Sequence, residues 1–261
     1  MGIYLDHNAT TPPAPEVLEA MAAALRDLPG NPSSPHAAGR AARAAVEAAR
    51  AEVAALVGAT AEEIVFTSGG TEGNALAIGG LLRGARRAGG GGRAHVVASP
   101  LEHPSVLGAL AAADVEPTLL PVGTAGALEP AALRAALRPE TALVTLALAN
   151  HELGNVYDLA PLAAIARAQG TLVHADAVQA AGKISIDAGA LGVDALTISA
   201  HKLHGPKGVG AVFLRRRAPF EPAGTGGHQE RERRAGTENV AGIVGFGVAA
   251  RLARRELAAA G

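Results

Sequence analysis

Short, nearly continuous apolar runs alternate along this chain with longer stretches in which apolar residues recur every three or four positions. The runs 64–66, 94–98, 118–120, 142–148, 171–174, 195–199 and 209–214 predict strands. Of these, 142–148 is apolar apart from Thr145, the pattern of a strand buried on both faces. Helical spacing predicts helices over 39–57, 72–87, 104–113, 130–137, 159–168 and 239–260. In the first of these Val46, Val53, Ala54 and Val57 share a face and Gly58 serves as C-cap, while Gly170 ends the fifth. The run Gly89 to Gly92 predicts a loop. Strands alternating with helices of this length predict an α/β fold with a mostly parallel sheet and helices on both faces.

Composition narrows the picture. Apolar residues make up 49% of the 261 but aromatics only 2%, so the core must be built from Ala, Leu, Val and Ile. The net charge of -1, with acids and bases interspersed, offers no basic stripe for nucleic acid or an acidic membrane surface. There is no cysteine, which excludes disulfides and thiolate metal sites within this chain. Met1 to Asp6 lack the basic-then-apolar order of a signal peptide. The longest apolar stretches, 142–149 and 240–250, fall short of the ~18 residues of a membrane span. A cytoplasmic protein is expected.

Polar residues cluster where strands end. Ile64 to Phe66 leads into Thr67-Ser68-Gly69-Gly70-Thr71-Glu72-Gly73-Asn74; 94–98 leads to Ser99 and His103; 171–174 leads to Asp176 and Gln179; 195–198 leads to Ser199-Ala200-His201-Lys202. In open α/β sheets ligands sit beyond the C-terminal strand ends, so all four clusters are expected to face one crevice. The glycine turn before a helix presents backbone N–H groups to an anion, although an ordinary β-to-α turn has the same look. It is neither a P-loop nor the dinucleotide fingerprint, which argues against a nicotinamide-binding domain. Asp176 reads either as a helix N-cap or as the partner of a buried cation. Lys202 reads either as a solvated turn lysine or as an amine nucleophile whose pKa is lowered in a closed crevice. His201 and His204 have no third metal ligand nearby, and Asn155 stands where a zinc motif beginning at His151-Glu152 needs its second histidine, so no metal is expected. Together, a phosphate cradle, a carboxylate and an amine at successive strand ends are the parts of a pyridoxal 5′-phosphate (PLP) site.

These motifs resemble the cysteine desulfurases, PLP enzymes of the class V aminotransferase group. The resemblance rests on Tyr4 to Pro12, Asn31 to His36, Phe66 to Asn74, Glu102-His103, Asp176 to Gln179, Ser199 to Lys202 and Arg234 to Asn239, in that order. It implies the PLP-binding large domain of a fold type I enzyme over 16–240, with an N-terminal segment 1–15 and a linking helix 241–261. It implies L-cysteine as substrate, sulfur passed to an acceptor protein for iron–sulfur clusters or tRNA thiolation, and a homodimer. Residue by residue, it implies that Lys202 bonds the cofactor and later moves protons at the substrate α-carbon. His103 stacks on the ring and helps proton transfer. Asp176 pairs with the ring nitrogen and Gln179 with the ring oxygen. Gly70, Thr71, Ser199 and His201 hold the phosphate, Thr237 reaches it from the partner subunit, and Asn150 or its neighbour lies near the substrate carboxylate and the ring oxygen.

His151 departs from the family pattern, which has a second Asn there. The family also continues into a small domain that carries a sulfur-accepting cysteine, and this chain, which has none, is expected to lack that domain. A selenocysteine lyase or another class V enzyme is the alternative within the group. An inactive interaction scaffold is the alternative outside it, opposed by the presence of Lys202, Asp176 and His103.

Overall fold

A computed structural model of the chain describes residues 2–89, 94–224 and 226–260. Of the loop expected at 89–92, only Gly89 lies within the described residues. Seven strands, β1 (Ile64–Thr67), β2 (Ala94–Ala98), β3 (Val115–Leu119), β4 (Thr141–Ala147), β5 (Leu172–Asp176), β6 (Ala195–Ser199) and β7 (Gly210–Leu214), form one sheet in the order β1-β7-β6-β5-β4-β2-β3. The pairs β2·β3, β2·β4, β4·β5 and β5·β6 are parallel; β7 is antiparallel to both β6 and β1. Because β7 is reversed between them, β1 points the same way as β6. The C-terminal ends of β1, β2, β4, β5 and β6 therefore share one edge, and Gly210 at the start of β7 joins that edge between Thr67 and Ser199.

The strands alternate their side chains between two apolar layers, as the pleat demands. Val96, Leu143, Ala195 and Val212 pack beneath α3 (Gly70–Arg87) and α4 (Pro104–Ala112), with Ile78, Leu81, Val106 and Leu110. Their chain neighbours Val97, Val144, Leu196 and Phe213 face the larger layer, covered by α1 (Pro15–Asp27), α2 (Ala37–Leu56), α5 (Pro130–Ala136), α6 (Leu159–Arg167) and α8 (Val240–Ala260). A short α7 (Ala188–Leu191) follows β5. Among the described residues no helix is long and apolar enough to cross a membrane.

The mostly parallel sheet with helices on both faces matches the expectation, and every predicted strand is present. Helix α1 is an addition. Its buried Val17 and Ala24 share the sequence with Leu18 and Leu25, which are exposed, so the apolar residues occupy two faces and blur the period. Strand β3 starts at Val115, ahead of the expected 118, because its edge position leaves Glu116 and Pro117 exposed while β2 supplies the pairing.

Candidate active site

The shared strand edge opens into a cavity of about 720 Å³. Its lining brings together Gly70, Thr71, His103, Asn150, Asp176, Gln179, Ser199, His201 and Lys202, all from the expected set, with Asn74, Ser105 and His151 beside them.

The glycine turn after β1 can lie over this edge because Gly210 has no side chain: a Cβ there would sit 2.8 Å from the backbone of Gly69. Helix α3 then starts at Gly70 with no side-chain cap on its first turn. Those N–H groups and the macrodipole are free to meet an anion. Ser199 is fully buried at the end of β6, and among the described residues its Oγ has no hydrogen-bond partner. Thr71 and His201 flank it in the same lining.

Asp176 closes the floor as the last residue of β5. It is 6% exposed; its Oδ1 accepts the Val178 N–H at 3.0 Å and its Oδ2 accepts from Asn74 Nδ2 at 2.7 Å. Among the described residues no cation is ion-paired with it, and burial raises its pKa against those two hydrogen bonds. A carboxylate held this way is stabilised by a buried cation placed above it.

Lys202 sits in a single 3-10 turn, Ala200–Lys202, immediately after β6. Its Nζ donates to the carbonyls of Asn8 and Ala9, the latter at 2.9 Å. Gln179 Nε2 donates to the same Asn8 carbonyl at 2.9 Å, and Gln179 Oε1 accepts from Lys183 Nζ at 2.7 Å. The N-terminal segment that supplies these carbonyls is strapped down at Thr11, whose N–H and hydroxyl donate to His201 O at 2.8 and 2.9 Å. Burial lowers the pKa of Lys202, opposed by Asp176 and Asp6, and lowers that of His201, aided by the charges of Lys202 and Lys207.

Two expected residues are placed differently from the rest. Asn150 lines the cavity, but its amide is spent on backbone: Nδ2 donates to Leu101 O at 3.0 Å, and Oδ1 accepts the N–H groups of Glu152 and Leu153, each at 2.9 Å. Thr237 does not line the main cavity. It borders a separate hollow of about 110 Å³ with Phe66, Ser68 and Arg234, across the end of β1. Asn74 lies outside the expected set of site residues yet lines the cavity. Its signal was a polar side chain on the first turns of a helix that otherwise packs on the sheet, and it is 1% exposed.

A parallel-sheet edge carrying an anion cradle, a buried unpaired carboxylate and an amine defines a class of protein, and the sequence comparison gives the same class. The chain belongs to the class-V aminotransferase family, whose model matches residues 3–260, a family of PLP-dependent enzymes. It is 46% identical over 253 residues to a cysteine desulfurase of Nostoc sp., covering 96% of this chain and 62% of that one. It is 48% identical over 260 residues to the cysteine desulfurase IscS of Anaeromyxobacter dehalogenans, covering 97% and 63%. The chain thus spans less than two thirds of the length of these curated relatives. Among solved structures it superposes on a NifS-like protein with a TM-score of 0.93 at 36% identity, covering 99% of this chain and 71% of that one. It superposes on SspA in complex with cysteine with a TM-score of 0.89 at 36% identity, covering 95% and 72%.

The residues present fit PLP. The buried Ser199 hydroxyl lacks a partner, the first turn of α3 lacks a cap, and Asp176 lacks a cation; a phosphate and a protonated ring nitrogen meet all three needs.

Proposed function

We propose that this chain is the PLP-binding part of a cysteine desulfurase, a cytoplasmic homodimer that takes sulfur from L-cysteine, leaves L-alanine and passes the sulfur to an acceptor. In balance, L-cysteine and an acceptor thiol give L-alanine and a persulfide: the C–S bond of cysteine and the S–H bond of the acceptor break, a C–H bond forms at the former thiol-bearing carbon, and an S–S bond forms. The observation that carries the reading is Asp176, a buried carboxylate that among the described residues has no ion-pair partner, on the floor of a cavity that also holds Lys202. The similarity to cysteine desulfurases supports the choice of substrate.

Bound PLP supplies an aldehyde for amines and an electron sink for carbanionic character. Thr71, Ser199, His201 and the α3 N-terminus, beginning at Gly70, would hold its phosphate. Asp176 would hold the ring nitrogen in its protonated form, Gln179 would donate to the ring oxygen, and His103 would lie against the ring face. Lys202 must release the carbonyls of Asn8 and Ala9 and lose a proton to become nucleophilic, and its lowered pKa favours that loss. Asp6, Asn8 and Ala9 line the wall of the cavity beside the amine.

Thr237 supports the dimer. It lies across β1 from its own chain's cavity, so a second copy of the chain is what would bring it to a phosphate. The 261 residues hold no thiol, so the sulfur acceptor comes from outside them.

The test is to add PLP to the full chain and record the visible spectrum, then add L-cysteine with dithiothreitol and measure alanine. A visible band that disappears in Lys202→Ala, and alanine formed from cysteine, are expected. A band unchanged by Lys202→Ala overturns the cofactor assignment. A cofactor band that L-cysteine leaves unchanged overturns the substrate assignment.

A further inference from the structure

The glycine turn ahead of α3 is held by a carboxylate. Glu72 lies in the first turn of the helix, and its Oε2 accepts the Ser68 N–H at 2.6 Å. Thr67 Oγ1 donates to the Gly69 carbonyl at 3.0 Å, which steadies the same turn. An acid at this position suits the helix, whose N-terminus is the positive end of the macrodipole. It does not suit a phosphate. The chain neighbours Gly70 and Thr71 line the main cavity, and an uncompensated carboxylate beside them would repel a dianion. Arg234 removes the conflict. Its Nε donates to Glu72 Oε1 at 2.8 Å and its Nη2 to Oε2 at 3.4 Å, so the two partly buried side chains meet fork to fork. Burial raises the pKa of Glu72, but hydrogen bonds from Arg234 and Ser68 outweigh it and leave it lowered, so the carboxylate stays charged. The other charged groups that act on Arg234 are Glu230 and Glu238. Arg234 borders the small hollow with Ser68 and Thr237 and is not part of the main cavity's lining, so it reaches the cradle through Glu72.

Resting on the desulfurase reading and its cofactor, we propose that Arg234 is a positioning residue of the phosphate cradle: it neutralises Glu72 and holds it against the Ser68 N–H, so that the turn presenting Gly70 and Thr71 is set, and free of a repelling charge, before a phosphate arrives. Two demands on Glu72 are met at once. The Ser68 N–H keeps its acceptor, and the phosphate meets the α3 N-terminus without a net negative charge beside it. As a source of stability alone, a partly exposed ion pair contributes little. Its weight here lies in the charge it cancels. The effect is felt by the phosphate group, whereas the ring and the aldehyde of the cofactor are indifferent to it.

Arg234→Gln, and the double variant that adds Glu72→Gln, separate this role from a merely structural one. Glutamine at position 72 can still accept the Ser68 N–H and carries no charge. Titration of the visible band on the full chain is expected to show Arg234→Gln binding PLP about 10-fold more weakly than the native chain. Pyridoxal, with the same ring and aldehyde but no phosphate, is expected to bind all three proteins equally. The double variant is expected to recover most of the lost PLP affinity. Equal losses for PLP and pyridoxal, no loss of PLP affinity, or a double variant no better than Arg234→Gln overturns the proposal. The cofactor-free chain gives a second readout with inorganic phosphate as the probe. At matched ionic strength, phosphate is expected to raise Tm in the native chain, less in Arg234→Gln, and nearly to the native extent in the double variant. An equal change in all three overturns the proposal. A chain that shows the expected phosphate pattern yet binds neither PLP nor pyridoxal overturns the desulfurase reading and leaves the role of Arg234 standing, so the two fail separately.

Discussion

Two buried titratable side chains pull the stability of this fold in opposite directions with pH. Glu102 is 5% exposed; its Oε1 accepts from Ser99 Oγ at 2.8 Å and from the Ala147 N–H at 3.1 Å, while among the described residues Oε2 has no partner. Burial pushes its pKa from 4.5 up to about 8. Between those values the folded chain holds a proton that the unfolded chain has lost, so stability present below pH 4.5 is lost as pH rises through about 8. His174, fully buried between Thr145 and Thr197, is pushed by burial from 6.5 down to about 3, so its contribution is lost as pH falls through that window. The two slopes offset each other between 4.5 and 6.5, leaving Glu102 to act alone between 6.5 and 8. Thermal melts should therefore show Tm falling from pH 6.5 to 8 in the native chain and falling less in Glu102→Gln, which keeps an acceptor and stays neutral. Equal slopes for the two proteins would contradict a protonated Glu102.

At the scale of elements, the segment before α8 is clasped to β1 by charge. Glu230, Arg231 and Glu232 all adopt positive φ, at 47°, 56° and 64°, a strained run for side chains other than glycine. What holds it is the buried Glu230 carboxylate, which accepts from Arg50 at 2.6 and 2.9 Å and from the Phe66 N–H at 2.8 Å. Arg50 in turn donates to Ile64 O at 2.9 Å and lies 4.7 Å from the centre of the Phe66 ring. Glu230→Ala leaves the buried guanidinium with only the exposed Glu47, 3.1 Å from its Nε, as a charge partner, and urea unfolding is expected to show a loss of about 3–5 kcal/mol. Helices α2 and α8 meet closely at Gly247, where a Cβ would sit 2.7 Å from Ala49 Cα. Gly247→Ala should therefore cost about 1–3 kcal/mol by the same measurement, despite its better helix propensity. A stabilised variant would show that the helices separate freely there.

For the whole molecule, the proposed dimer makes a prediction that no single chain can satisfy. If Thr237 serves the other copy's cavity, Lys202→Ala and Thr237→Ala chains, each deficient alone, should complement each other when unfolded together and refolded. Random pairing then gives about a quarter of the sites a native Lys202 and a native Thr237. The cofactor band of the mixture, set against the two parents, measures this, and a simple average of the parents would place Thr237 in its own chain's site or in none.

The strand-and-helix alternation, and with it the α/β class, was legible in the chain because a buried strand must be apolar without interruption and a covering helix must be apolar on one face. The strand-end clusters that hold Thr71, Asp176 and Lys202 were legible for the same reason: a parallel sheet sends its strand ends to one edge. The Ala-rich α1, with its two leucines on the exposed side and Val17 and Ala24 on the buried one, carried too weak a period to be read. Tertiary structure alone decided which polar groups meet. Asn74 and Ser105 are 31 residues apart, and Asn74 and Asp176 are 102 apart. No local pattern encodes those distances. Likewise Asn150 and His151 are adjacent in the chain, yet the fold commits the first side chain to backbone, at Leu101 and in its own turn, while among the described residues the second makes no side-chain hydrogen bond in the cavity. Periodicity fixes which face a residue occupies, whereas packing across the sheet fixes which hydrogen-bond partners remain available to it.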